Sequence, residues 1–92
     1  MKVARKRPGE PWEFAEVENS LEALQAEVGG YIETFTCASD ACLVMNEEGR
    51  LLGLPCNFYW GPHCFCGTVL LVGVKGDEFG DLQLVELSCL PK

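Results

Sequence analysis

Asn19-Ser20-Leu21-Glu22-Ala23-Leu24-Gln25-Ala26-Glu27-Val28-Gly29-Gly30-Tyr31-Ile32-Glu33 carries a start signal, a periodicity, a stop signal and re-entry into a strand. Asn19 suits an N-cap, because its side-chain oxygen can accept from a free N–H of the first turn. Glu22 stands three residues on, where a capping-box carboxylate reaches back. Leu21, Leu24 and Val28 recur at i, i+3 and i+7 and mark one helix face. Ala23 and Ala26 favour the helix, and Glu22, Gln25 and Glu27 take the wet side. Gly29-Gly30 offers a residue with positive φ to end it. The spacing predicts a helix at about 20–28. Tyr31 to Cys37 then alternates in β-prone residues and predicts a strand. So short a helix needs a sheet on which to bury its leucines.

Working outward, Met1 to Arg7 reads as a first strand, closed by the turn signal Pro8-Gly9. Trp12 to Val17 alternates and reads as a second, antiparallel to the first, with Trp12, Phe14 and Val17 dressing a sheet face. Ala41 to Asn46 is apolar and close enough to Tyr31–Cys37 to form a hairpin with it across Ala38-Ser39-Asp40. Asn46 to Arg50 reads as a turn, with Gly49 at positive φ. Leu51 to Pro55 is broken by Gly53 and Pro55 and reads as a compact loop, and Asn57 to Pro62 as an aromatic loop. Gly67 to Val74 is apolar nearly throughout and is expected at the sheet centre. Lys75 to Gly80 reads as a loop. Leu82, Val85 and Cys89 fit a short C-terminal helix capped by Asp81, while Leu82 and Leu84 fit alternation. The sum is a single α+β domain over 1–92: a mixed or antiparallel sheet of about five strands, packed with the 20–28 helix and a short C-terminal one.

The net charge is −7, which disfavours a broad duplex nucleic-acid face, since phosphate binding rests on Lys and Arg. Lys2, Arg5, Lys6 and Arg7 nevertheless crowd the first strand. They suit an anion or an acidic partner, and equally an edge strand guarded by charge against aggregation. The longest apolar run, Val69 to Val74, is too short to span a bilayer. The basic N-terminus lacks a secretory signal's apolar core, so a cytoplasmic location is expected.

Six cysteines invite a metal. Cys56, His63, Cys64 and Cys66 could ligate zinc, but no C-x2-C knuckle is present and C-x-C alone is a weak signal. Cys37, Cys42 and Cys89 sit where small apolar residues would pack. Disulfides are not expected in a reducing cytosol. His63 adjoins Cys64, but neighbours in a strand point apart, and there is no second His to serve as base. Glu47-Glu48 reads as a solvated turn. No phosphate loop, dinucleotide fingerprint or H-E-x-x-H is present. These observations predict no cofactor and no enzymatic activity.

Phe58, Tyr59 and Trp60 have two readings: exposed rings of a binding hot spot or stacking platform, or rings folded back to close a small core.

Asn19–Glu33, Asn46–Asn57 (N-E-E-G-R-L-L-G-L-P-C-N) and Gly67–Gly73 (G-T-V-L-L-V-G), with Pro8-Gly9, resemble the domain-of-unknown-function family 3846. This chain departs from the family pattern in basic Arg5, Lys6 and Arg7, in the Cys- and aromatic-rich segment Cys56–Cys66, and in a short C-terminal helix. The resemblance implies a small protein of a phage, plasmid or other mobile element, acting in the cytoplasm of a bacterial host, and transfers no catalytic residues. With that context, the expected function is non-enzymatic binding: counter-defence by sequestering a small nucleotide-type signal. Arg5 and Arg7 would take phosphates, Tyr59 and Trp60 the base, Asn57 and Thr68 its orientation. The alternative is a protein–protein inhibitor or assembly module that blocks a host defence protein of the nuclease type. A zinc- or thiol-dependent enzyme is third. Neither duplex nucleic acid nor membrane is an expected partner, and a homo-oligomer is allowed.

Overall fold

The computed structural model describes residues 1–83 and 90–91. Its elements are β1 (Lys2–Lys6), β2 (Glu13–Glu16), α1 (Leu21–Val28), β3 (Ile32–Ala38), β4 (Ala41–Asn46), β5 (Cys56–Trp60), β6 (His63–Cys66), β7 (Val69–Lys75) and β8 (Glu78–Gly80). The fold is α+β. The main sheet runs β2-β1-β7-β4-β3, with β8 also on β7, and β5 and β6 form a separate hairpin. Every pairing is antiparallel.

Period-2 alternation in the inner strands sorts their apolar residues to two faces. Val3, Cys42, Val44, Leu70 and Val72 form one core with Leu24 of α1. Ala4, Leu43, Met45, Val69 and Leu71 form the other, with Trp12, Leu82 and the hairpin residues Phe58 and Phe65. The molecule is therefore three layers, helix, sheet and hairpin. Burying each such aliphatic or aromatic side chain is worth roughly 1.5–3 kcal/mol. β7 is central, as its composition predicts: it touches β1 through Val69–Leu71 and β4 through Leu70–Gly73.

The helix starts one residue later than an Asn19 cap requires. Ser20 is the N-cap, with extended φ −142° and ψ 152°, and its Oγ accepts from the Ala23 N–H at 3.1 Å. That phase leaves Glu22 at the second helical position, short of a capping box. It also leaves Leu21 58% exposed while Leu24 and Val28 are buried. Asn19 instead donates to the Phe79 carbonyl of β8 at 3.0 Å. Gly29 ends the helix at φ 79°, its N–H on the Gln25 carbonyl.

Two segments read as loops contain strands: Asn57–Trp60 belongs to β5 and Glu78–Gly80 is β8, while His63–Cys66, beyond the aromatic loop, is β6. Gly49 is also not at positive φ. It is small because the backbone of β6 passes over it: an added Cβ would lie 3.0 Å from the Cys66 carbonyl oxygen. At the C-terminal end, Asp81–Gln83 adopt no regular structure. The Asp81 carboxylate accepts from the Lys2 N–H at 2.7 Å rather than capping a helix. The rest of the expected helix, 84–89, lies outside the described residues. Among those described, no helix is long and apolar enough to cross a membrane.

Candidate functional site

The β5–β6 hairpin owes its shape to one extra residue. Phe58 pairs with Phe65, Tyr59 with Cys64 and Trp60 with His63, but Cys56 pairs with Cys66, so a bulge falls at Asn57. Strict alternation would place Asn57 outward with Tyr59. The bulge instead turns Asn57 and Phe58 to the same inner side and returns Cys56 to the outer one. Gly61, at φ 59°, opens the two-residue turn, where positive φ is required.

Asn57 thereby becomes a bracket between hairpin and sheet. Its amide donates to the Lys6 and Gly67 carbonyls at 2.7 and 2.8 Å, and its oxygen accepts from Lys6 Nζ at 2.7 Å. Lys6 is buried, and its ammonium lies 5.9 Å from the Phe58 ring centroid. Asn57→Ala strands an ammonium and two carbonyls at once, and unmet buried groups cost about 1–3 kcal/mol each. We expect a loss of about 3 kcal/mol, the low end for three such part-buried groups, read as a lowered urea midpoint at unchanged slope.

The residues expected to form one cationic, ring-bearing site are not gathered. Lys6 points to the hairpin, so Arg5, its neighbour in β1, points to the opposite face. Arg5 donates to Glu13 at 3.0 and 2.9 Å and to Glu27 of α1 at 2.7 Å. Arg7 donates to the same Glu13 oxygen at 2.9 Å. The hydrogen bond from Arg5, with the charges of both guanidiniums, holds the Glu13 carboxyl below its usual range. Phe58 is core, Trp60 is half-buried against that core, and Tyr59 faces solvent. Thr68 is half-buried just before β7.

What the fold does assemble is a cleft of about 820 Å³ between the β3–β4 side of the sheet, the 47–51 loop and β6. Glu33, Glu47, Glu48, Arg50, His63 and Phe35 are among its lining residues. Asn46 sets the loop: its amide donates to the Val28 carbonyl at the helix end, and its oxygen accepts from the Glu48 N–H at 2.7 Å. The His63 ring stands edge-on to Phe35 with centroids 4.9 Å apart. Among the described residues Arg50 enters no ion pair, unlike Arg5 and Arg7. Leu51, at the rim, is 86% exposed. In the sequence these charges read as a solvated turn. The signal that could have singled the segment out is Leu51-Leu52, an apolar pair directly after it.

On the outer side of the hairpin stand Cys56, Tyr59, Cys64 and Cys66. The Cys56 and Cys64 sulfurs are 2.8 Å apart. Hydrogen bonding from Cys56, then from Cys66 and Tyr59, together with the Arg50 charge, lowers the Cys64 thiol below its ordinary value. The same bond raises Cys56. Among the described residues no three His, Cys, Asp or Glu are disposed to hold a metal ion. His63 packs on Phe35 while Cys64 contacts Cys56, so the two do not form a nucleophile–base pair.

A sheet clamped between one helix and a bulged hairpin, with a mixed-charge cleft at its side, defines a small α+β fold of the two-faced kind. The family model described as Domain of unknown function (DUF3846) matches residues 1–88. The chain belongs to that family. Neither a curated protein nor a solved structure gives a significant match.

Proposed function

We propose that this chain is a non-enzymatic binding protein, acting by occupancy of the cleft between β3, the 47–51 loop and β6. The observation that carries the reading is the lining: one guanidinium unpaired among the described residues, an imidazole edge-on to a phenyl ring, and three carboxylates around an open volume. Pockets with a few convergent polar groups beside aromatic surface are the usual form of a small-molecule site. Glu33, Glu47 and Glu48 repel a polyphosphate, while Arg50 can meet a single anionic group. The carboxylates accept from ring or exocyclic N–H groups. The class that fits is a nucleobase-bearing molecule with no more than one negative charge, such as a nucleoside or a cyclic mononucleotide. Sequestering such a signal in a bacterial cytoplasm is the counter-defence role we assign, with Arg50 replacing Arg5 and Arg7 as the anion contact.

Calorimetry of the reduced protein against nucleosides, cyclic mononucleotides, cyclic dinucleotides and ADP-ribose tests it. Binding is expected for a neutral or singly charged member and weakens about tenfold or more in Arg50→Ala, since hydrogen bonds to charged groups are worth about 1.5–3 kcal/mol. Arg7→Ala should leave it unchanged. Silence across the panel, or dependence on Arg7 instead of Arg50, overturns the small-ligand reading.

A second reading rests on a separate observation. Tyr31, Leu51 and Leu52 are 69, 86 and 59% exposed, and Tyr31 and Leu52 flank a groove with Gln25 and Glu48 beside it. Neighbouring exposed apolar side chains mark protein contact sites. A host protein captured stoichiometrically by the wild type but not by Leu51→Asp/Leu52→Asp favours an inhibitor of a host protein.

A further inference from the structure

We propose that Cys56 and Cys64 are an oxidisable dithiol, in which Cys64 reacts with a hydroperoxide and Cys56 resolves the product to a disulfide. The geometry carries it. The bulge at Asn57 turns Cys56 to the outer side of the hairpin, on the diagonal from Cys64. The two sulfurs stand 2.8 Å apart, and a disulfide of about 2.05 Å requires them to close by roughly 0.8 Å. Cys56 is exposed and Cys64 half-buried, so a small oxidant reaches them. Cys66 lies across the hairpin from Cys56, but the short sulfur contact of Cys56 is with Cys64; Cys37 and Cys42 lack this setting. Cys42 is buried, and desolvation pushes its thiol up to about 11. Cys37 donates to the Ala41 carbonyl at 3.4 Å, and burial raises it as well. Cys64 and Cys66 follow each other on one strand face. Their Cα atoms are about 6.8 Å apart by strand rise, the outer limit for a disulfide.

The roles within the pair follow from the surroundings. Cys64 lines the cleft together with Arg50, and its contact with Cys56 and the Arg50 charge lower the Cys64 thiol, while the same contact raises Cys56. Those contacts favour its thiolate, the nucleophilic form. In the first step the Cys64 thiolate attacks the terminal oxygen of a hydroperoxide. An S–O bond forms, the O–O bond breaks, and the departing alkoxide or hydroxide takes up a proton. The sulfur is oxidised by two electrons and the peroxide reduced by two, leaving a sulfenic acid. In the second step the Cys56 sulfur attacks the Cys64 sulfur. The S–S bond forms, the S–O bond breaks, and the hydroxyl leaves as water with the Cys56 proton. The sum is two thiols and one hydroperoxide giving one disulfide, one alcohol or water, and one further water.

Cys64 and Arg50 border the cleft, but the proposal requires no ligand there and is tested on the whole chain with none added. Fully reduced protein is treated with equimolar hydrogen peroxide, denatured, alkylated, and cleaved after its aromatic residues. Cuts after Trp60 and Phe65 place Cys56, Cys64 and Cys66 on separate peptides. The expected result is a Cys56–Cys64 linked pair with Cys42 alkylated as a free thiol. In Cys56→Ser the disulfide is absent and Cys64 is captured as a sulfenic acid by a cyclic 1,3-dione. In Cys64→Ser neither product forms. A dominant Cys56–Cys66 or Cys64–Cys66 bond overturns the assignment, as does oxidation of Cys42 at the same dose as Cys64. The wild-type peptide map decides the pairing even where a variant misfolds.

Discussion

Phe58→Ala is expected to destabilise the protein by about 3–5 kcal/mol, while Tyr59→Ala, one position on, stays within about 0.5 kcal/mol of wild type. Phe58 is 2% exposed and Tyr59 65%, because the two residues stand on opposite sides of β5. The Phe58 ring lies 5.5 Å from Trp12 and 5.2 Å from Phe65, centroid to centroid. It also lies under the Lys6 ammonium. Removing it opens a cavity among the rings that join hairpin to sheet, and the site cannot collapse without moving the Asn57 bracket. Total stability for a domain of this size is about 5–15 kcal/mol, so the variant loses a large part of it. Urea unfolding of both variants is the measurement. Equal midpoints would mean that the hairpin is not a wall of the core, and the cleft that rests on it would go with it.

The same pair of residues shows where the sequence stopped being legible. The helix could be read because Leu24 and Val28 recur at helical spacing between a cap and a glycine stop, and β7 because its run is apolar nearly throughout, as in a strand buried on both faces. The N-cap slipped by one because Asn19 and Ser20 both make good caps, and only the backbone phase chooses between them. The hairpin was hidden for a different reason. Its bulge sets Asn57 and Phe58 on one side, so Cys56 to Trp60 never shows the alternation that marks a strand. Once the bulge is known, inward Phe58 and outward Tyr59 follow at once, and so does the meeting of Cys56 with Cys64. The closeness of Arg5 to Glu13 was closer to hand. An antiparallel pairing that sets Ala4 against Phe14 sets Arg5 against Glu13, and a cation so placed is neutralised before any ligand arrives. The cleft residues carried the least signal. Glu33 lies on β3 and His63 on β6, while Glu48 and Arg50 belong to a turn, and only the stacking of hairpin over sheet brings them to one place.

Stacking of this sort also governs how the chain runs over the hairpin face. After β8 it crosses β7 at Gly73 and seats Leu82, 5% exposed, among Leu43, Leu71 and Phe58. Two hydrogen bonds secure the crossing, Leu82 N–H to the Lys2 carbonyl at 2.8 Å and Lys2 N–H to the Asp81 carboxylate at 2.7 Å. Further along, the Trp12 indole donates to the Pro91 carbonyl at 2.6 Å.

Gly73→Ala is therefore expected to cost about 3 kcal/mol, the upper end for overpacking a fitted site. A Cβ there would meet the Asp81 carbonyl oxygen directly, and would lie 2.8 Å from the Asp81 carbonyl carbon and 3.0 Å from the Gly80 oxygen. These are backbone atoms of the crossing segment, so no rotamer change relieves the clash. Either Asp81 lifts, breaking its contact with Lys2 and unseating Leu82, or β7 distorts at the sheet centre. Gly80 supplies the control. It pairs with Gly73 across β7 and β8, yet a Cβ on it meets nothing within 4 Å and its φ is not positive. Gly80→Ala should accordingly remain within about 0.5 kcal/mol of wild type. Hydrogen exchange at the Leu82 amide separates the two responses to the clash: faster exchange at Leu82 with Leu71 still protected means that the crossing has lifted and the sheet has held. Matching stabilities for the two alanine variants would show that the chain does not cross β7 at this point. The seating of Leu82 in the hairpin-face core would then have to be given up.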